Sequence, residues 1–166
     1  MKRRILVIDD EQSIRDSLRM ILEYDGYECL LAPSGQDGLL AISHDVPDLV
    51  FLDIKMPGLD GLEVLREIRT LDKNMPVVMI SGHGTVSTAV EATKLGAFDF
   101  LEKPLSTERV TVTIRNALRQ RELTDSQFEL ASENKGWRRA AEVRVRHEMI
   151  GGSEVLSTVL NEIQKA

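Results

Sequence analysis

The chain has 166 residues, 42% of them hydrophobic and 29% charged, which leaves room for one ordinary domain of roughly 100–150 residues plus an extra segment and excludes disorder throughout. The formal net charge is −6, and residues 1–105 carry 11 basic against 18 acidic side chains, so that part repels nucleic acid; the remainder, with 10 basic against 9 acidic, is nearly neutral. Cys29 is the only cysteine, so no intrachain disulfide can form, as expected in a reducing compartment.

In chain order, the amino terminus MKRRILVIDDE begins with positive charge, but its apolar run Ile5 to Ile8 meets three acids and is too short for a signal peptide. No apolar run approaches the roughly 20 residues that span a bilayer. We expect a soluble, cytoplasmic protein without membrane contact. Ile5 to Ile8 is predicted as a strand, followed by a helix with Ile14, Leu18, Ile21 and Leu22 on one face and Gly26 at its end. Cys29 to Ala32 is the second strand, with Cys29 as core, and Ser34 caps a helix bearing Leu39, Leu40 and Ile42. Leu49 to Leu52 is the third strand, with a helix after Asp60 carrying Leu62, Leu65 and Ile68. Val77 to Ile80 is the fourth, with a helix from about Thr85 to Leu95 stopped by Gly96. Ala97 to Leu101 is the fifth, with a helix starting near Ser106 and Thr107. Five such repeats predict an α/β fold, a doubly wound (βα)5 domain with a five-stranded parallel sheet and helices on both faces.

Ligands of such sheets bind beyond the carboxyl ends of the strands. There the sequence places Asp9, Asp10 and Glu11 after the first strand, Asp53 after the third, Ser81-Gly82 after the fourth and Glu102-Lys103-Pro104 after the fifth. Each residue has a bland reading alone: Asp9 or Asp10 as a helix cap, Ser81 as a turn starter, Lys103 as a solvated lysine. Together, carboxylates crowded into one crevice raise each other's pKa unless a cation joins them, and an all-oxygen site suits Mg²⁺. Asp53 is then positioned to attack phosphorus, with Lys103 and Ser81 contacting phosphoryl oxygens.

The motifs ILVIDDE, LVFLDIKMPGLDGLEVL, VVMISGHG and FDFLEKP resemble, in that order, the receiver domain of two-component response regulators, over about Lys2 to Arg119. The resemblance implies a flavodoxin-like fold, Asp53 as phosphoacceptor for a sensor histidine kinase, and Mg²⁺ held by Asp9, Asp10, Asp53 and the backbone carbonyl of Lys55. It implies that Ser81 and Lys103 take the phosphoryl oxygens, and that Phe100 is a switch residue that rotates inward on phosphorylation. The stretch GHGTVSTAVEATKLGAFDFLEKP is similar to the receivers of NtrC-type activators of sigma-54 transcription. His83 in that stretch reads as a loop hydrogen-bonder, and His44 and His147 have no metal-ligand spacing.

Residues 1–120 are thus expected to be the receiver. Residues 121–148 read as a linker continuing the fifth helix, in which Leu123, Leu130 and Trp137 recur every seven residues, interrupted by Gly136. Dimerisation would use this helix. Its arginines, interleaved with acids, read as a solvated face, and no direct nucleic-acid contact is expected. Residues 149–166, with Ser153 as cap and Leu156, Val159, Leu160 and Ile163 as a stripe, resemble the first helix of an AAA+ domain. The expected protein is a fragment that ends before any phosphate-binding loop and before the family's DNA-binding domain, so it is not itself an ATPase.

Two alternatives are open. Haloacid-dehalogenase-type phosphatases also form aspartyl phosphate, but their nucleophile lies on the first strand in a DxD arrangement, unlike Asp9-Asp10. The other is a receiver-like module that works through protein contacts without phosphate.

Overall fold

The computed structural model describes the backbone of residues 1–150 and the side chains of residues 1–132. Met1–Glu122 forms one compact unit, and a second begins at Leu123. Five strands, β1 (Arg4–Ile8), β2 (Glu28–Ala32), β3 (Leu49–Asp53), β4 (Val77–Ser81) and β5 (Asp99–Glu102), alternate with helices α1 (Gln12–Tyr24), α2 (Gly35–His44), α3 (Gly61–Leu71), α4 (Val86–Lys94) and α5 (Thr107–Ile150). All strand pairs are parallel, and the order is β2-β1-β3-β4-β5. The expected doubly wound (βα)5 fold is the one observed.

The sheet is buried on both faces, which is why its strands read as unbroken apolar runs. Side chains alternate across it: Leu6, Ile8, Val50, Leu52, Val77 and Met79 face a core shared with Ile42, Val64, Leu65, Ile68 and Ala92 of α2, α3 and α4. Ile5, Val7, Leu49, Phe51, Val78 and Ile80 face the opposite core, with Leu18 and Leu22 of α1 and Val110, Ile114 and Ala117 of α5. Cys29 is half-buried on this second side. Burial, with Glu23 adding to it, pushes its pKa up to about 11, which leaves the thiol protonated and inert at neutral pH.

Local signals set the helix ends. Ser34 accepts from the Asp37 N–H, Thr85 from the Thr88 N–H, and Asp60 with Glu63 forms a reciprocal capping box. Gly26 and Gly96 lie just past α1 and α4 with φ of +86° and +95°, the left-handed conformation glycine adopts without strain. The structure removes one bland reading and moves one boundary. The N-cap of α1 is Glu11, with no side-chain cap bond, so neither Asp9 nor Asp10 serves as the cap. Strand β5 begins at Asp99 rather than Ala97, because the Ala97 N–H closes the end of α4 on the Ala92 carbonyl.

From Leu123 the chain is helical to Ile150, through Gly136. A single glycine costs a helix only about 1 kcal/mol against alanine, so it does not break one flanked by good formers. Leu123, Phe128 and Leu130 are exposed. The side chains of Trp137 and of the arginines beyond it, and the AAA+-like segment from residue 151 onward, lie outside the described residues.

Candidate functional site

The chain order of the sheet decides what meets at its carboxyl edge. Strands β1 and β3 are neighbours, and from that edge the connections diverge to α1 on one face and α3 on the other, which opens a crevice between them. Asp9 directly follows β1 and Asp53 ends β3, and both are buried, at 0% and 3% exposure. Asp10 is exposed. Carboxylate oxygens of all three come within 4.8 Å of one another.

Lys103, in the turn after β5, reaches into this group. Its Nζ is 3.1 Å from Asp9 Oδ2, 3.6 Å from Asp53 Oδ1 and 2.9 Å from Glu11 Oε1. Its backbone is fixed by a bond from the Lys103 N–H to the Ser81 carbonyl, and the Lys103-Pro104 peptide is cis. Burial disfavours the lysine charge, yet Glu11, Asp53 and Asp9 together hold its pKa above the ordinary value. The same crowding acts oppositely on the acids. Burial first, then the charge of Asp9, pushes Asp53 up to about 7 in spite of Lys103. Asp9 is also raised, again chiefly by burial, although the Glu11 N–H donates to its Oδ1 at 2.9 Å.

Ser81 closes β4 and is buried. Its Oγ accepts from the His83 N–H at 3.2 Å, on the loop side. The bond involves the His83 backbone and not its imidazole. Phe100, in β5, is half-buried, with its ring against Gly84. Lys55 lies in the loop two residues past Asp53, its side chain exposed.

The residues that build this lysine and carboxylate cluster lie within a range matched by a family model. The response regulator receiver domain model covers residues 5–115 of the chain. The chain belongs to this family. It contains the receiver domain of a response regulator, a phosphoacceptor in two-component signalling, and response regulators take phosphoryl groups from sensor histidine kinases.

Among curated relatives, the receiver is 39% identical over 127 residues to the response regulator MprA of Mycobacterium ulcerans, covering 76% of this chain and 55% of that one. It is 43% identical to the transcriptional regulatory protein FixJ of Bradyrhizobium diazoefficiens, over 73% of this chain and 59% of the relative. With the C4-dicarboxylate transport transcriptional regulatory protein DctD of Rhizobium meliloti it shares 36% identity over 83% of this chain, but 28% of that protein. The chain thus spans little more than half the length of the first two and less than a third of the last. Among solved structures, NtrX from Brucella abortus, in complex with ADP, aligns with a TM-score of 0.75 and 44% identity, over 78% of this chain and 30% of NtrX. A CheY-like receiver from Methanospirillum hungatei aligns with a TM-score of 0.72 and 31% identity, over 75% and 99%.

Receiver domains bind Mg²⁺ at an acidic cluster, and the donors here suit it. Asp9, Asp10 and Asp53 offer a hard, all-oxygen set. Asp9 Oδ2 is buried and faces the Lys103 ammonium at 3.1 Å, so a positive charge already stands where a cation would be held. Among the described residues, no helix of the receiver chain is long and apolar enough to cross a membrane.

The sequence reading brought Asp9, Asp10, Asp53 and Lys103 to one edge, where the structure puts them. It left Glu11 without a role, although the side chain is in direct contact with Lys103; the acid triplet Asp9-Asp10-Glu11 was the available signal.

Proposed function

We propose that Asp53 accepts the phosphoryl group and that Asp9, Asp10, Lys55, Ser81 and Lys103 assist it. The observation that carries this reading is Lys103 Nζ lying 3.1 Å from Asp9 and 3.6 Å from Asp53 at a buried strand end. A carboxylate oxygen of Asp53 attacks phosphorus, the bond from phosphorus to the donor imidazole nitrogen breaks, and its electron pair leaves with the imidazole. Lys103 exchanges one carboxylate contact for a phosphoryl oxygen, and Ser81 donates its O–H to another. Asp9, Asp10 and Asp53, with the Lys55 carbonyl, would hold Mg²⁺. When bound, that ion supplies positive charge to the phosphoryl oxygens. Phe100 reports the change by rotating, shifting an existing equilibrium in α4 and β5. The domain catalyses its own phosphorylation and dephosphorylation, in the cytoplasm.

Residues 121–148 act as a linker that pairs two copies of the chain, supported by the exposed Leu123 and Leu130 seven residues apart. The attached output is a sigma-54-type activating ATPase of the NtrC family, beginning near residue 149, with DNA contacted by a further domain. The similarity to DctD and NtrX supports this, while MprA and FixJ match the same receiver residues.

The test is the intact mass of the protein after incubation with acetyl phosphate, with and without Mg²⁺. One adduct that needs Mg²⁺, retained in a Ser81→Ala variant at a lower rate and absent from Asp53→Asn, is expected. No adduct under any condition would support the phosphate-independent module instead. Lys103→Ala should slow adduct formation by about 100-fold or more, the usual cost of one preorganised charge aimed at a transferring group. An unchanged rate would remove Lys103 from the site.

A further inference from the structure

Glycine is required in two circumstances: where the backbone takes positive φ, or where a side chain would collide with a neighbour. Among the described residues, Gly26, Gly58 and Gly96 belong to the first class. Gly84, in the loop between β4 and α4, does not, so its backbone conformation is open to any residue. What it lacks is space. A Cβ on Gly84 would lie 2.5 Å from Phe100 Cζ, 2.9 Å from Phe100 Cε1 and 3.3 Å from Ser81 Oγ. One missing methyl group therefore separates the ring of β5 from the hydroxyl of β4.

We propose that Gly84 is a positioning residue, the seat that admits the Phe100 ring beside the Ser81 hydroxyl. The atom that would collide most closely is the far end of the phenyl ring. That end can swing away by rotation about χ1, whereas the loop is anchored by the His83 N–H on Ser81 Oγ and by the Thr85 cap of α4. A residue larger than glycine at this position evicts the ring without dismantling the fold. Gly84 thus sets which orientation of Phe100 the domain holds, and couples that orientation to the place Ser81 Oγ occupies. The coupling half of this proposal rests on Asp53 as phosphoacceptor; the seat itself does not.

The test uses the full chain labelled with 4-fluorophenylalanine, with the Phe100 signal assigned through Phe100→Leu. Without any phosphodonor, Gly84→Ala should shift the ¹⁹F signal of Phe100 and leave that of buried Phe51 in place. Thermal melting should fall by a few degrees in Gly84→Ala, and by less than a third of that when the same change is made in a Phe100→Ala background. An equal fall in both backgrounds, or an unmoved Phe100 signal, overturns the seat. With acetyl phosphate and Mg²⁺, the wild type should show a Phe100 shift together with the adduct, whereas Gly84→Ala should form the adduct with little further ring movement. An equal ring movement in both proteins overturns the coupling. Absence of the adduct from the wild type would refute the phosphoacceptor reading and, with it, the coupling, and would leave the seat to stand or fall on the first two measurements.

Discussion

Replacing Asp53 by asparagine is expected to make the metal-free protein more stable while abolishing phosphorylation. Asp53 is 3% exposed, and burial with the neighbouring Asp9 pushes its pKa up to about 7 from the ordinary 3.8. The folded state therefore binds this proton more tightly than the unfolded state does. Below about pH 4 the carboxyl is protonated in both states and costs nothing. As the pH rises towards 7 the unfolded chain ionises first, and folding becomes progressively less favourable; above about pH 7 the full penalty is present. Asparagine keeps the shape and removes the charge. The gain near pH 7.5 should be on the order of 2 kcal/mol, or roughly 5–10 °C in melting temperature, shrinking towards zero near pH 4. Melting curves in EDTA across this pH range would check it. A variant no more stable than wild type at pH 7.5, or one whose advantage grows on acidification, would contradict the argument. Addition of Mg²⁺ should narrow the difference by stabilising the wild type, since an ion that binds only the folded state raises its stability.

Gly61→Ala is expected to be among the most damaging single methyl additions to the receiver. Gly61 opens α3, and its N–H donates to the Ile54 carbonyl at 2.8 Å, which draws the helix onto the end of β3. A Cβ there would lie 2.2 Å from the Asp53 carbonyl oxygen, 2.7 Å from Ile54 Cα and 2.9 Å from Asp53 C. All three are backbone atoms of the strand end that carries the site, and none can rotate away. The cost should reach about 3 kcal/mol or more, roughly 10 °C in melting temperature, with adduct formation impaired even well below the melting point. Gly38→Ala provides the contrast. Its Cβ meets the side chain of Ile8, with Cδ1 at 2.3 Å, which can take another rotamer, so a loss nearer 1 kcal/mol is expected. Equal losses at the two positions would show that the distinction between backbone and side-chain neighbours does not govern these sites.

Gly61 and Gly84 mark the limit of what could be read locally. The five strands announced themselves as apolar runs because a sheet covered on both faces needs apolar side chains on both. Ser34, Asp60, Thr85, Gly26 and Gly96 announced helix ends through capping chemistry that acts within a few residues. At the start of β5 the same logic failed, since Ala97 is as apolar as a strand residue but its N–H closes the turn after α4. Gly61 and Gly84 look like any loop glycine in the chain, because what forbids a side chain at each comes from Asp53 and Ile54 in one case and Phe100 in the other.

By itself, then, the sequence determined the repeating strand and helix units, their caps, and the set of polar residues placed at strand ends. Each of these leaves its mark within a short stretch of sequence. The tertiary structure alone decided that β1 lies beside β3, that Lys103 meets Glu11 across 92 positions of sequence, and that Ser81 Oγ is turned to the His83 N–H. Strand order depends on how five units bury both faces of one sheet together, a condition on the whole domain that no short segment carries. The charge state of Asp53 belongs with these, since its raised pKa comes from burial and from Asp9, delivered by a different strand.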